Sequence, residues 1–127
     1  MNTVLVVDDR PDTRYATTRI LASAGFDVRE TATGRDALRL ARTSPDVIVL
    51  DIALTDIDGF EVCRRLKSDV ATRGIPVVHK TSVYRDPDHR AQGLAAGADE
   101  YLIEPVEPQL LIETVRRFLP GEARSHR

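Results

Sequence analysis

Short strand-like stretches alternate along the chain with longer segments in which apolar residues recur at intervals of three and four. The strand-like stretches are residues 3–7, 26–30, 47–50, 76–81 and 100–103. The longer segments have the period of amphipathic helices and predict helices over residues 12–24, 34–44, 59–68, 88–96 and 108–119. Strand followed by helix, five times over, predicts a parallel α/β sheet with helices on both faces and right-handed crossovers.

Glycines and prolines mark where several of these helices should end. Gly25 and Gly97 are expected to end the first and fourth helices, and Pro120 with Gly121 the last. Gly93 lies inside the fourth helix, whose apolar face is mostly alanine, so we expect this helix to be the most mobile element.

Carboxylates directly follow two of the predicted strands. The apolar run 47–50 leads into Asp51, and the run 4–7 leads into Asp8 and Asp9. If these strands are parallel neighbours, three anions meet at one edge of the sheet, where they repel one another unless a divalent cation lies between them. An aspartate beside such a cation is a plausible phosphoryl acceptor.

Other polar residues end strands on the same side of the predicted sheet. Thr81 is the last residue of the fourth predicted strand, and Glu104 follows the fifth. In open parallel sheets, ligands bind beyond the carboxyl ends of the strands, where the strand order reverses. These positions therefore indicate one functional site.

Size and composition narrow the function further. The chain has 127 residues, which we divide into a domain over residues 1–121 and a polar tail over 122–127. Its net charge of −2 and the lack of a basic run argue against nucleic acid, and it has no apolar run of membrane-spanning length. The single cysteine, Cys63, is expected in the core and suits a reducing compartment, so we expect a cytoplasmic protein.

The polar residues at the strand ends form an ordered set. The set comprises Asp8-Asp9, Asp51, Asp58-Gly59, Thr81-Ser82 and Glu104-Pro105. It resembles the pattern of the receiver domain of two-component response regulators, over residues 3–119. Residues 9–11 and 58–63 are also similar to receivers attached to sensor histidine kinases. The resemblance implies a flavodoxin-like (βα)5 fold with strand order 2-1-3-4-5.

The resemblance also implies the chemistry of the acidic site. Asp51 would be the phosphoacceptor, taking a phosphoryl group from a phosphohistidine on a sensor histidine kinase or phosphotransfer protein. Asp9, Asp51 and the backbone carbonyl of Ala53 would hold Mg²⁺, and Asp8 would hold metal-bound water. The domain would then be a signalling module rather than an enzyme.

A switch is the second implication of the resemblance. Thr81 would donate its hydroxyl to the new phosphoryl group, and Tyr101 would swing inward as Thr81 moves. This would remodel the face formed by the fourth helix, fifth strand and fifth helix, through which a homodimer is one expectation. Pro105 would follow a cis peptide bond.

Glu104 departs from the family pattern, which has a lysine at this position. Three interpretations stay open: Glu104 turns outward to solvent, it joins the outer shell of the metal, or the receiver no longer signals by phosphorylation. Arg10 and Lys80 are candidates for a replacement cation. Strand alternation places Lys80 on the opposite face from Thr81.

Other functions can be compared with the residues that each of them would require. A pseudo-receiver would signal through partner contact alone, without a phosphoryl group on Asp51. A phosphatase with an Asp-x-Asp motif needs an acid at position 53, where Ala53 stands, and no GxGxxG or P-loop is present. Ala53 and Val83 bear no polar side-chain atoms to position an attacking water, which predicts slow self-dephosphorylation.

Overall fold

Ten regular elements make up the fold in the computed structural model, which describes residues 2–119. The strands are β1 (Thr3–Val7), β2 (Asp27–Thr31), β3 (Val47–Leu50), β4 (Val77–Thr81) and β5 (Glu100–Ile103). The helices are α1 (Pro11–Ser23), α2 (Gly34–Ala41), α3 (Gly59–Ser68), α4 (Pro87–Ala95) and α5 (Pro108–Arg117). The predicted helix stop at Pro120 and Gly121 and the predicted tail 122–127 lie outside the described residues.

The five strands form one parallel sheet in the order β2-β1-β3-β4-β5. This is the predicted flavodoxin-like topology. The order reverses between β1 and β3, so the carboxyl ends of these two strands adjoin at the switch point where such folds bind ligands.

Alternate positions along each strand point to opposite faces, and each face is covered by a different pair of helices. One face packs against α2 and α3 through Leu5, Ile48, Val77, Ala37 and Leu66. The other packs against α1 and α5 through Val6, Val49, Val78, Leu21 and Val115. These strand residues are at most 1% exposed, so the central strands are buried on both sides.

The boundaries of β1, β3, β5 and α3 are the predicted ones, and those of the other six elements differ by one to three residues at one or both ends. Helix α1 begins at Pro11 rather than residue 12, because proline suits the first helical position. Strand β2 begins at Asp27 rather than at Phe26, whose N–H donates to the carbonyl of Leu21 and so belongs to the turn after α1. Gly25 follows α1 with φ +99°, a left-handed conformation that glycine adopts at low cost.

Other helices stop sooner than their apolar patterns suggest. Helix α2 ends at Ala41, three residues short of the predicted end, and α5 ends at Arg117, with Phe118 as its cap residue. Gly97 follows α4 in the left-handed region, as predicted. Within residues 2–119, no helix combines the length and apolarity needed to cross a bilayer.

Candidate functional site

The two central strands deliver the acidic residues to one point. Val7 lies opposite Leu50 in the β1–β3 register, and the N–H of Asp51 donates to the carbonyl of Val7 at 2.9 Å. Asp8 and Asp51, the next residues along each strand, are therefore neighbours. Carboxylate oxygens of Asp8, Asp9 and Asp51 all lie within 4.8 Å of one another. The structure thus brings together the three acids that the sequence predicts.

Hydrogen bonds hold the two buried carboxylates in place. Asp8 accepts from the N–H of Arg10 at 3.0 Å and from the hydroxyl of Thr13 at 2.5 Å. Asp51 accepts from the N–H of Ile52 at 2.7 Å. Asp8 is 1% exposed and Asp51 7%, while Asp9 is half-buried. Hydrogen bonds therefore fix the positions of both buried carboxylates.

The environment of Asp51 opposes its ionisation. Burial raises the pKa of Asp51 to about 6, and the negative charge of Asp8 acts in the same direction. The N–H groups of Ile52 and Ala53 and the charge of Lys80 lower this pKa, but by less. A divalent cation would remove the repulsion, and three carboxylates are the hard oxygen donors that Mg²⁺ prefers. The donor set therefore fits the predicted metal.

Glycine at position 59 lets the loop after β3 fold back against the strand. The N–H of Gly59 donates to the carbonyl of Ile52 at 2.8 Å, and a Cβ here would approach the Ile52 Cα at 2.6 Å and the Asp51 carbonyl. Ala53, half-buried in this loop, lies two residues beyond Asp51. Asp58 caps α3 by accepting from the N–H of Glu61 at 3.0 Å.

Thr81 ends β4 at the same edge of the sheet and is fully buried. Its hydroxyl oxygen accepts from the N–H groups of Val83 and Tyr84 at 3.1 and 3.2 Å. The Thr81 side chain therefore shapes the loop that leads into α4. A displacement of this hydroxyl would therefore also displace the loop before α4.

Tyr101 points into the protein rather than into solvent. It is 3% exposed, and its hydroxyl donates to the carbonyl of Tyr84 at 2.7 Å. Its ring packs edge-on against His79, with ring centroids 5.9 Å apart. Burial raises the pKa of Tyr101 to about 12. The inward position that the resemblance assigns to the activated state is thus the one seen here.

Glu104 does not face solvent, so that interpretation is wrong. Its side chain is 17% exposed and accepts from the Lys80 ammonium group at 2.9 Å, while an Arg10 guanidinium nitrogen lies 3.8 Å away. Arg85 donates to the Glu104 backbone carbonyl. Three cations surround this residue, and the one nearest to its carboxylate is Lys80, from the neighbouring strand. The peptide bond between Glu104 and Pro105 is cis, as expected.

Two contacts at the site escape sequence reasoning. The Lys80–Glu104 pair requires the β4–β5 adjacency, which periodicity alone does not give, although both residues fall on the same face by alternation. Asp56 accepts from the N–H groups of Gly34 and Arg35 at 2.9 and 3.0 Å, so the loop after β3 caps α2 from a distance. The sequence around Asp56 does not indicate that its carboxylate caps a helix 22 residues earlier in the chain.

Two further residues that could suggest chemistry serve the core instead. Cys63 is buried in the α2–α3 layer, and burial raises the pKa of its thiol to about 11. His79 is buried, and its Nδ1 lies 3.1 Å from the carbonyl of Leu50. Burial lowers the pKa of His79 to about 4, so its ring stays neutral.

Comparison with known sequences gives one consistent family. Residues 4–116 match the family model of the response regulator receiver domain. The chain is 35% identical to Protein PilH of Pseudomonas aeruginosa over 122 residues, which are 95% of this chain and 100% of PilH. Two further curated relatives are longer, and the chain covers 49% and 52% of their lengths.

Solved structures agree with the sequence relatives. A CheY-like receiver domain protein from Methanospirillum hungatei superposes with a TM-score of 0.87 at 26% identity, covering 98% of both chains. The receiver domain of a sensor histidine kinase from Pseudomonas aeruginosa superposes with a TM-score of 0.84 at 28% identity, covering 92% of this chain and 96% of its own. That second structure contains a magnesium ion coordinated in its active-site cleft.

Proposed function

The chain belongs to the response regulator receiver domain family, and from that premise we propose that it accepts a phosphoryl group on Asp51 in a Mg²⁺-dependent reaction. The observation that carries the proposal is the cluster of three carboxylates at the ends of β1 and β3, with their oxygens within 4.8 Å of one another. Asp51 follows β3, whose four residues are all buried, and its carboxylate accepts a hydrogen bond from the N–H of Ile52.

The proposed reaction is a transfer of one phosphoryl group between two side chains. A carboxylate oxygen of Asp51 attacks phosphorus of a phosphohistidine on the partner, an O–P bond forms and the N–P bond breaks. The electron pair of the broken bond returns to the imidazole nitrogen. The hydrogen bond from the Ile52 N–H orients the carboxylate, and the loop before α3 keeps this N–H in place.

Mg²⁺ would be held by Asp9, Asp51 and the carbonyl of Ala53, with Asp8 holding metal-bound water. When bound, the ion offsets the negative charge on the acids and on the transferring phosphoryl group. Two donors, the Arg10 N–H and the Thr13 hydroxyl, orient the Asp8 carboxylate for this role.

The proposed output runs through Thr81. Its hydroxyl would donate a hydrogen bond to the phosphoryl group and draw the loop before α4 with it, because the same oxygen accepts from Val83 and Tyr84. Tyr101 bonds to Tyr84 and would hold the new loop position. The effect reaches the face of α4, β5 and α5.

This face is where we propose that partners read the state of Asp51. Glu100 on β5 ties it together, pairing with Arg117 of α5 at 2.7 Å and with Arg90 of α4 at 3.6 Å. A second copy of the chain is one proposed occupant, and size-exclusion chromatography with and without acetyl phosphate tests for it. A sensor histidine kinase or phosphotransfer protein, reached in the cytoplasm, is the proposed phosphodonor.

Acetyl phosphate supplies a direct test. With Mg²⁺, the intact mass of the protein is expected to rise by one phosphoryl group, with acetate as the other product. Asp51→Asn and a chelator should each abolish the label. A label that persists in Asp51→Asn would refute the assignment, and a folded wild-type protein that never acquires one would favour the pseudo-receiver alternative.

A further inference from the structure

Lys80 is a buried cation near the carboxyl end of β4, between the buried residues His79 and Thr81. Its side chain is 6% exposed, and its ammonium group donates to Glu104 at 2.9 Å. A lysine this buried requires a partner, because an unpaired charge in the interior is costly. Glu104 supplies that partner in the state seen here.

Strand register places Lys80 beside the acidic cluster. Leu50 lies opposite His79 in the β3–β4 register. Asp51 and Lys80, each one residue further on, are therefore adjacent positions on neighbouring strands, which are about 4.8 Å apart. Both point to the face covered by α1 and α5, as Val49 and Val78 do two residues earlier.

The Lys80 ammonium group also has room to move. Lys80 and Glu104 border a cavity of about 190 Å³ between α1 and residues 104–106, which Thr13 and Thr17 of α1 line as well. The flexible four-carbon stem of a lysine is longer than the spacing of about 4.8 Å between neighbouring strands, so Asp51 lies within reach of the Lys80 ammonium group. The charge of Lys80 already lowers the pKa of Asp51, against the larger raising effect of burial.

Phosphorylation would strengthen the attraction on Lys80. A phosphoryl group carries close to two negative charges where the Asp51 carboxylate carries one, while Glu104 still carries one. Arg10, half-exposed and 3.8 Å from Glu104, can take over as its partner. The balance of charge therefore favours a move of the ammonium group from Glu104 to the phosphoryl group.

We propose that Lys80 is the residue whose ammonium group binds the phosphoryl group on Asp51, with Glu104 as its resting partner. The inference rests on the proposed function and adds a residue from β4 to it. The inference also explains why position 104 is a glutamate. The cation lies on β4, next to Asp51, instead of after β5, and the Glu104 carboxylate pairs with this cation while Asp51 is unphosphorylated.

A pair of variants that differ only in the cation provides the test. Glu104→Gln retains Lys80 without its charged partner, and Lys80→Met combined with Glu104→Gln removes the cation without leaving a buried carboxylate unpaired. Rates of Asp51 labelling by acetyl phosphate with saturating Mg²⁺ are compared between them. We expect the double variant to be at least about tenfold slower, the effect of losing one charge-assisted hydrogen bond. Thermal melts establish whether both variants fold.

A variant with the cation at a different position tests whether the loss of rate is due to the lost charge. Lys80→Met with Glu104→Lys moves the cation to the end of β5 and should recover most of the lost rate. If the first double variant does not fold, Lys80→Gln with Glu104→Gln replaces it. A loss of less than about tenfold relative to Glu104→Gln would overturn this inference alone. Failure of the folded wild-type protein to label at Asp51 would overturn the proposed function and this inference with it.

Discussion

At the scale of single residues, ionisation of the Asp51 carboxylate lowers the free energy of unfolding of the metal-free protein. Its pKa of about 6 lies above the ordinary value of 3.8, so the folded protein binds this proton more tightly than the unfolded chain. Stability present below about pH 4 is therefore lost as pH rises toward 6. The shift of about two units corresponds to roughly 3 kcal/mol.

Replacing Asp51 by Asn should remove the loss of stability that its ionisation causes. Above pH 6 and without metal, we expect Asp51→Asn to be more stable than the wild type by up to about 3 kcal/mol in urea unfolding. His79 acts in the opposite sense, because its lowered pKa makes stability fall as pH drops from 6.5 toward 4. The variant should thus lose stability more steeply than the wild type over this range. Equal profiles for the two proteins would contradict the raised pKa.

If Asp51 is the phosphoacceptor, as proposed, the lifetime of its phosphoryl group depends on the side chains at positions 53 and 83. Neither Ala53 nor Val83 has a side-chain polar atom that could position a water for attack on phosphorus. We expect the label to persist for minutes or longer after acetyl phosphate is removed, followed by intact mass. Ala53→Asn, which adds an amide at this position, should shorten the lifetime. Loss of the wild-type label within seconds would refute this prediction.

At the scale of elements, Asp56 joins the loop after β3 to the start of α2. Its carboxylate accepts from the N–H groups of Gly34 and Arg35, two donors that the helix itself leaves unpaired. Asp56→Ala should therefore destabilise the protein by about 0.5–2 kcal/mol, as the loss of a helix cap does. Thr55→Ala, at the exposed neighbouring position, is the matched control and should have little effect. Equal losses in the two variants would contradict the capping role.

Helix α4 contains a glycine because Tyr101 lies against it. A Cβ on Gly93 would fall 2.9 Å from the Tyr101 ring and 3.3 Å from His79. Gly93→Ala gains helix propensity, about 1 kcal/mol, but we expect the forced ring displacement to outweigh it by about 1–3 kcal/mol. Chemical denaturation measures the balance, with exposed Gln92→Ala as control. A more stable Gly93→Ala protein would show that Tyr101 is not held by this contact.

At the scale of the whole molecule, much of the fold follows from local pattern. Apolar runs and helical spacing predict the ten elements, and strand ends predict that Asp8 and Asp51 converge. The convergence needs only that parallel neighbours end on one side of a sheet. Side-chain identity at strand ends therefore predicts the acidic site before any coordinates are known.

Side-chain contacts between segments distant in sequence are not predicted by the pattern of apolar and polar residues. Lys80 and Glu104 meet because β4 and β5 are neighbours, and each residue alone is compatible with several surroundings. The inward position of Tyr101 likewise depends on the space that Gly93 leaves on a separate helix. Both depend on packing across the sheet, which a linear pattern does not encode.

A Mg²⁺ titration followed by amide NMR tests most directly whether the three carboxylates form one metal site. Well above pH 6, we expect saturable one-to-one binding that shifts the amides of Asp9, Asp51 and Ala53, and weaker binding below pH 6, where Asp51 is protonated. Asp9→Asn should weaken the binding, while Asp12→Asn, at an exposed position in the first turn of α1, should not. Shifts that do not saturate, or that are equally strong in Asp9→Asn, would contradict the account.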